Sequence, residues 1–247
     1  MKYALLLLAA ACANSLRAPP PIESLAAAPS AAAEDLMKQA DAAWENRKEQ
    51  AARAEDLYLQ AARAQPANAA AWSGAIRAKA FLLGREKDSS KRGALASTAV
   101  AAGQTCQTQA KAPACDYWLA AALGLQARER SATAHDALPH MVELLKRAQQ
   151  SEPALDNGGP ARLLAILLLR APGWPLGPGD PEAALTEAQA AVKTAPAYAP
   201  NQLALGEALR KNGQDFRAAY AEALRLAEMA SDPDAADWAG DARKALH

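Results

Sequence analysis

The sequence predicts an all-α fold, a solenoid of about eleven helices, and three observations carry that prediction. Of the 247 residues, 69 are alanine and 32 leucine, while valine and isoleucine together number 6. Alanine and leucine lose little freedom in a helix, whereas β-branched and aromatic residues favour strands. This composition disfavours a doubly wound sheet, a β-sandwich or a barrel, and with them many common enzyme architectures. The second observation is periodicity. From Ala33 onward, apolar residues recur at three- and four-residue spacing, broken by Pro, Gly and Asn roughly every 12 to 17 residues. The third is an internal repeat.

One spacing returns three times: a small residue, a bulky one four later, alanine three after that, and proline five further on. Ala54, Tyr58, Ala61 and Pro66 fit it. Met141, Leu145, Ala148 and Pro153 fit it with a larger first residue, and Ala184, Ala188, Ala191 and Pro196 with a smaller second. This is the second-helix signature of tetratricopeptide repeats. First-helix markers appear in phase, with Trp72 after Pro66 and Leu205-Gly206 after Pro196, and Ala218 is expected at the next small position. Small residues let paired helices approach, the bulky one fills the hole, and proline ends the second helix.

The elements follow in order. Helices are expected near 34–47, 51–65, 68–83, 92–103, 115–129, 136–151, 160–170, 181–194, 199–212, 214–230 and 234–246. Residues 84–92, 105–114 and 171–180 read as insertions, and the mixed charges from Arg85 to Arg92 as a solvated loop. Asp180-Pro181 and Asp232-Pro233 each put a capping carboxylate before a proline at the first helical position. Asn212-Gly213 is a helix stop. The last helix, with Trp238 and Leu246 on a polar segment, suits a terminal cap.

The N-terminus has the form of an export signal. Lys2 precedes the uncharged run Tyr3 to Ala13, which is too short to span a bilayer as a helix. Leu8-Ala9-Ala10-Ala11-Cys12 resembles a bacterial lipobox, with leucine four rather than three places before the cysteine. The expected organisation is a signal over 1–11, a lipidated Cys12 with a Pro/Ala-rich tether over 12–33, and a helical-repeat domain over 34–247. A plain secretory signal cut after Ala11 or Ala18 is one alternative, and a cytoplasmic chain with an apolar first helix is another. With Cys12 acylated, Cys106 and Cys115 remain as a pair, either disulfide-bonded or free and buried.

Several function classes find no support. Lys plus Arg equals Asp plus Glu at 27 each, and no basic run marks a nucleic-acid interface. No nucleophile, phosphate-loop or dinucleotide motif occurs, so no catalytic residue and no cofactor is assigned. His135 and His140 do not share a helix face well, and His247 stands apart, so no metal site is assigned. Asp232, Asp234 and Asp237 lack the glycine and terminal glutamate of a calcium loop.

The stretch from Cys115 to about Leu226 carries a more specific pattern. In order it holds Tyr117-Trp118-Leu119-Ala120, Leu138-Pro139-His140-Met141, Leu155-Asp156-Asn157-Gly158-Gly159, Ala171-Pro172-Gly173-Trp174-Pro175 and Gly177-Pro178-Gly179-Asp180-Pro181-Glu182-Ala183. This resembles the T-component (TatT) family of TRAP transporters, exported helical-repeat lipoproteins. The resemblance implies a periplasmic protein whose repeats surround an apolar channel or cleft beside an extracytoplasmic solute receptor. It also implies a small apolar or organic-acid ligand and attachment to a membrane through Cys12. Without an aspartate after Cys12, sorting patterns point to the outer membrane.

The candidate binding residues are Arg162, Leu163, Ile166, Leu167, Arg170, Trp174 and Asp180. Leu163 to Leu169 is almost wholly apolar, so its helix is either central core or the lining of a cleft. Arg162 and Arg170 bracket it, as surface ion pairs or as contacts for an acidic head-group. The Pro- and Gly-rich segment from Arg170 to Glu182 either bridges two helices with Trp174 tucked against it, or presents Trp174 as a contact loop. The expected function is accessory to TRAP-type solute uptake, the alternative a ligand-free interaction scaffold of the envelope.

Overall fold

A computed structural model describes residues 30–130 and 134–247. Among them are eleven helices: α1 Ser30–Glu45, α2 Arg47–Ala64, α3 Ala69–Arg85, α4 Ser89–Gln109, α5 Pro113–Glu129, α6 Ala134–Ser151, α7 Gly159–Arg170, α8 Pro181–Thr194, α9 Ala199–Lys211, α10 Arg217–Met229 and α11 Ala235–Leu246. The signal, Cys12 and most of the expected tether lie outside the described residues. Helix α1 begins at Ser30, ahead of the expected start near 34, and Ala33 is buried.

Each helix packs on its neighbours in sequence. Beyond that, α1 packs closely on α3, α3 on α5, α5 on α7, α7 on α9 and α9 on α11. Among the described residues no two even-numbered helices pack that closely, α6 and α8 meeting through the Gln149 amide, which donates to Glu187 at 2.8 Å. In a curved array the helices that reach across to one another lie on the inside of the bend. The odd-numbered helices therefore form the inner row and the even-numbered ones the outer row, the architecture of an all-α repeat solenoid.

The phased residues do what their spacing requires. Ala54, Tyr58, Ala61, Met141, Leu145, Ala148, Ala184, Ala188 and Ala191 are all buried, and Pro66, Pro153 and Pro196 each follow a helix end by two residues. Trp72 is buried and donates its indole N–H to the Pro66 carbonyl at 2.9 Å. A Cβ at Gly74 would lie 2.5 Å from the Tyr58 ring, so the aromatic sits in the space a side chain would take.

Four expectations are corrected. Helix α4 runs well past 103 to Gln109, and residues 105–109 are no insertion. Cys106, Ala102 and Gly103 are buried there, and a Cβ at Gly103 would lie 2.9 Å from the Leu119 backbone, so packing on α5 holds polar residues in a helix. Residues 89–92 also belong to α4 rather than to a loop, capped by Asp88. In α10 the inward positions are Ala219, Tyr220, Ala223 and Ala227, and Ala218 is exposed. The Asn212-Gly213 stop, with Gly213 left-handed and Gln214 N–H bonded back to Leu209, delays the helix to Arg217 and shifts its register. Finally, α11 starts at Ala235, and Asp232 does not cap it.

Candidate functional site

The α7–α8 connection is built by its glycines. Gly179 N–H donates to the Pro172 carbonyl at 2.8 Å, Leu176 N–H to Gly173 at 3.0 Å, and Asp180 N–H back to Leu168 in α7 at 3.1 Å. A Cβ at Gly179 would stand 2.2 Å from the Ala171 oxygen, and one at Gly177 2.7 Å from the Pro172 oxygen. Only glycine permits this closure. The Trp174–Pro175 peptide bond within it is cis. Asp180 ends the loop as the N-cap of α8, accepting the N–H groups of Glu182 and Ala183 at 3.0 Å each.

The loop holds its apolar side chains outward. Trp174 is 90% exposed and Leu176 64% exposed. The reading in which Trp174 tucks against the loop is overturned: Pro172, Gly177 and Gly179 occupy the space beneath the turn with backbone contacts and leave the indole outside. No residue from Ala171 to Gly179 is charged. Against α6 the loop leaves a groove of about 450 Å³ between Pro139, Val142 and Glu143 on one side and Pro175, Leu176 and Pro178 on the other.

The other candidates separate from Trp174. Leu164, Leu167 and Leu168 are buried in the main core with Leu119, Leu144 and Leu145. Leu163 and Ile166 are half-buried on the flanks of α7. Arg170 is exposed and pairs with Glu207 at 3.4 Å.

Arg162 turns into the fold, where four hydrogen bonds engage its guanidinium. It donates to the Asp156 carboxylate at 2.7 Å, to the Asn201 side-chain oxygen at 2.9 Å and to the carbonyls of Asp156 and Asn157 at 3.2 Å each. Asp156 also accepts the Tyr117 hydroxyl at 2.5 Å. Asn201, fully buried, donates to the carbonyls of Asn157, Ala191 and Ala195. The chain reaches this network through three successive left-handed residues, Asp156 (φ 47°), Asn157 (φ 55°) and Gly158 (φ 79°). Asn and Asp tolerate that conformation best among residues with a side chain. Burial pushes the Tyr117 hydroxyl well above its ordinary pKa, and the Asp156 charge adds to this. Tyr198, over whose ring the Arg162 guanidinium lies at 5.1 Å, is pushed up to about 12, chiefly by burial.

Cys106 and Cys115 form a disulfide between α4 and α5, both fully buried. A second polar site joins residues with no local sequence pattern between them. Arg47, at the start of α2, is 4% exposed and pairs with Asp232 and Asp234, which lie 185 and 187 residues away. Among the described residues no helix is long and apolar enough to cross a membrane. No family model matches the chain, and no curated protein matches it.

Proposed function

We propose that this chain is an exported, lipid-anchored interaction protein of the cell envelope. It works as an accessory component of TRAP-type solute uptake, and the Trp174 loop docks a soluble extracytoplasmic receptor. The observation that carries the docking role is the loop itself: an uncharged, glycine-closed turn with Trp174 90% exposed. An exposed tryptophan on a pre-formed backbone gives large contact area for little ordering cost, the pattern of an interface anchor. The Cys106–Cys115 disulfide supports an oxidising compartment.

A second reading, a scaffold that handles no small ligand, draws its support from α7. The inward leucines 164, 167 and 168 pack on α5 and α6 and belong to the core. In both readings the loop meets a protein.

The test is photocrosslinking in cells, with a photoreactive phenylalanine at position 174 and a control at exposed Lys111. A discrete adduct from 174 alone, identified as a solute receptor, supports the transport reading. An adduct with another envelope protein supports the scaffold. No adduct beyond the control contradicts both.

A further inference from the structure

We infer that residues 231–237 form an acidic strap that closes the solenoid by occupying an arginine site on its first helices, a site that accepts an acidic segment of a partner once the strap lets go. Arg47 pairs with Asp232 and with Asp234, the latter at 3.1 Å. Arg85, at the end of α3, pairs with Asp234 at 3.5 Å and Asp237 at 3.2 Å. Asp232 also accepts the Asp234 N–H at 2.8 Å, a local turn that aims both carboxylates at Arg47.

Beyond the Arg85–Asp237 pair, no helix of α1–α3 packs closely on a helix of α9–α11 among the described residues. The apolar cluster of α1–α3, around Ala40, Tyr58 and Ala75, and that of α9–α11, around Ala199, Ala227 and Ala239, share no residue. A groove of about 600 Å³ runs along the seam, with Trp44, Arg47 and Arg77 on one wall beside the carboxylates of Asp41 and Glu45, and Ser231, Asp232 and Pro233 on the other. The closure is therefore made by ion pairs rather than by helix-on-helix packing.

The arginine wall is built to hold carboxylates. The Arg47 and Arg77 guanidinia lie over the Trp44 ring at 4.9 and 4.3 Å, and Arg85 over Phe81 at 3.5 Å. Among the described residues Arg77 has no carboxylate within ion-pair distance; it donates to the Tyr58 hydroxyl at 3.3 Å, and its buried Nε has no hydrogen-bond partner. Stacked guanidinia are held in place for planar, two-point recognition of carboxylates. The strap offers Asp232, Asp234 and Asp237, so a partner segment with carboxylates at similar spacing competes for the same site. A buried guanidinium stripped of its carboxylates is costly, and opening the seam hydrates it.

The test uses the full chain with Cys12→Ser and spin labels at Lys38→Cys in α1 and Lys244→Cys in α11. The expected result is a narrow distance distribution, and in D232N/D234N a longer, broader one with several-fold more open population. R47E opens it likewise, and R47E/D232R restores the short distance. Unchanged helicity and melting in these variants separates opening from unfolding. In the opened D232N/D234N protein, a millimolar excess of a heptapeptide copying residues 231–237 should shift the Trp44 indole resonance saturably, with no shift when R47E is added. A distance unaltered by D232N/D234N overturns the strap, and an opened protein blind to the peptide overturns the partner site.

Discussion

The Arg162 guanidinium donates to the Asn201 side-chain oxygen at 2.9 Å, joining the start of α7 to the start of α9 across 39 residues. Asn201 in turn holds the α8 C-terminal carbonyls of Ala191 and Ala195. Removing that amide takes one hydrogen bond from each of the Asn157, Ala191 and Ala195 carbonyls and one acceptor from Arg162, at a fully buried position. Asn201→Ala should cost roughly 2–4 kcal/mol. Denaturant unfolding at neutral pH measures it, and a change under half a kcal/mol would show the network to be ornamental.

Glycine positions separate tight packing from mere helix content. At Gly74 a methyl group meets the Tyr58 ring, whereas at Gly84, also in α3, nothing lies within 4 Å. Gly74→Ala should destabilise by about 1–3 kcal/mol through overpacking. Gly84→Ala should stabilise by up to about 1 kcal/mol through helix propensity. Opposite shifts in melting temperature are the expected result.

Alkaline stability follows from the tyrosines. Tyr58, Tyr117, Tyr198 and Tyr220 are all pushed above the ordinary phenol pKa of 10, mainly by burial. Between pH 10 and the raised values the folded chain holds protons that the unfolded chain has released. Stability from these groups is thus full below pH 10 and falls as pH rises beyond it, through about 12 for Tyr198. Absorbance at the phenolate band should show these tyrosines ionising late and together with unfolding.

The disulfide links cysteines nine residues apart. Loop-closure entropy for that length predicts a loss of about 3 kcal/mol on reduction. Unfolding with and without reductant tests this, and Cys106→Ala/Cys115→Ala should behave like the reduced protein.

Periodicity made most of the fold legible. The buried faces of α2, α6 and α8 carry the residues their spacing assigned, because alanine at a contact position is both a propensity signal and a packing signal. The second half of α4 was not legible: Gly103, Thr105, Cys106 and Thr108 have weak helical preference, and the packing of Gly103 and Cys106 against α5 supports the helix there. The site was less visible. The Pro/Gly loop stood out, but whether its tryptophan points in or out depends on backbone bonds such as Gly179 to Pro172. Arg162 reaches Asn201 39 residues on, the partners of Arg47 lie 185 and 187 residues away, and pairing over such distances leaves no local pattern.

The central claim is that Trp174 serves contact and not stability. The decisive measurement is Trp174→Ala, comparing melting temperature with recovery of the protein crosslinked at that position. A side chain 90% exposed contributes little to the core, so melting should stay within about a degree while partner recovery is lost. A lowered melting temperature with recovery intact would contradict the account.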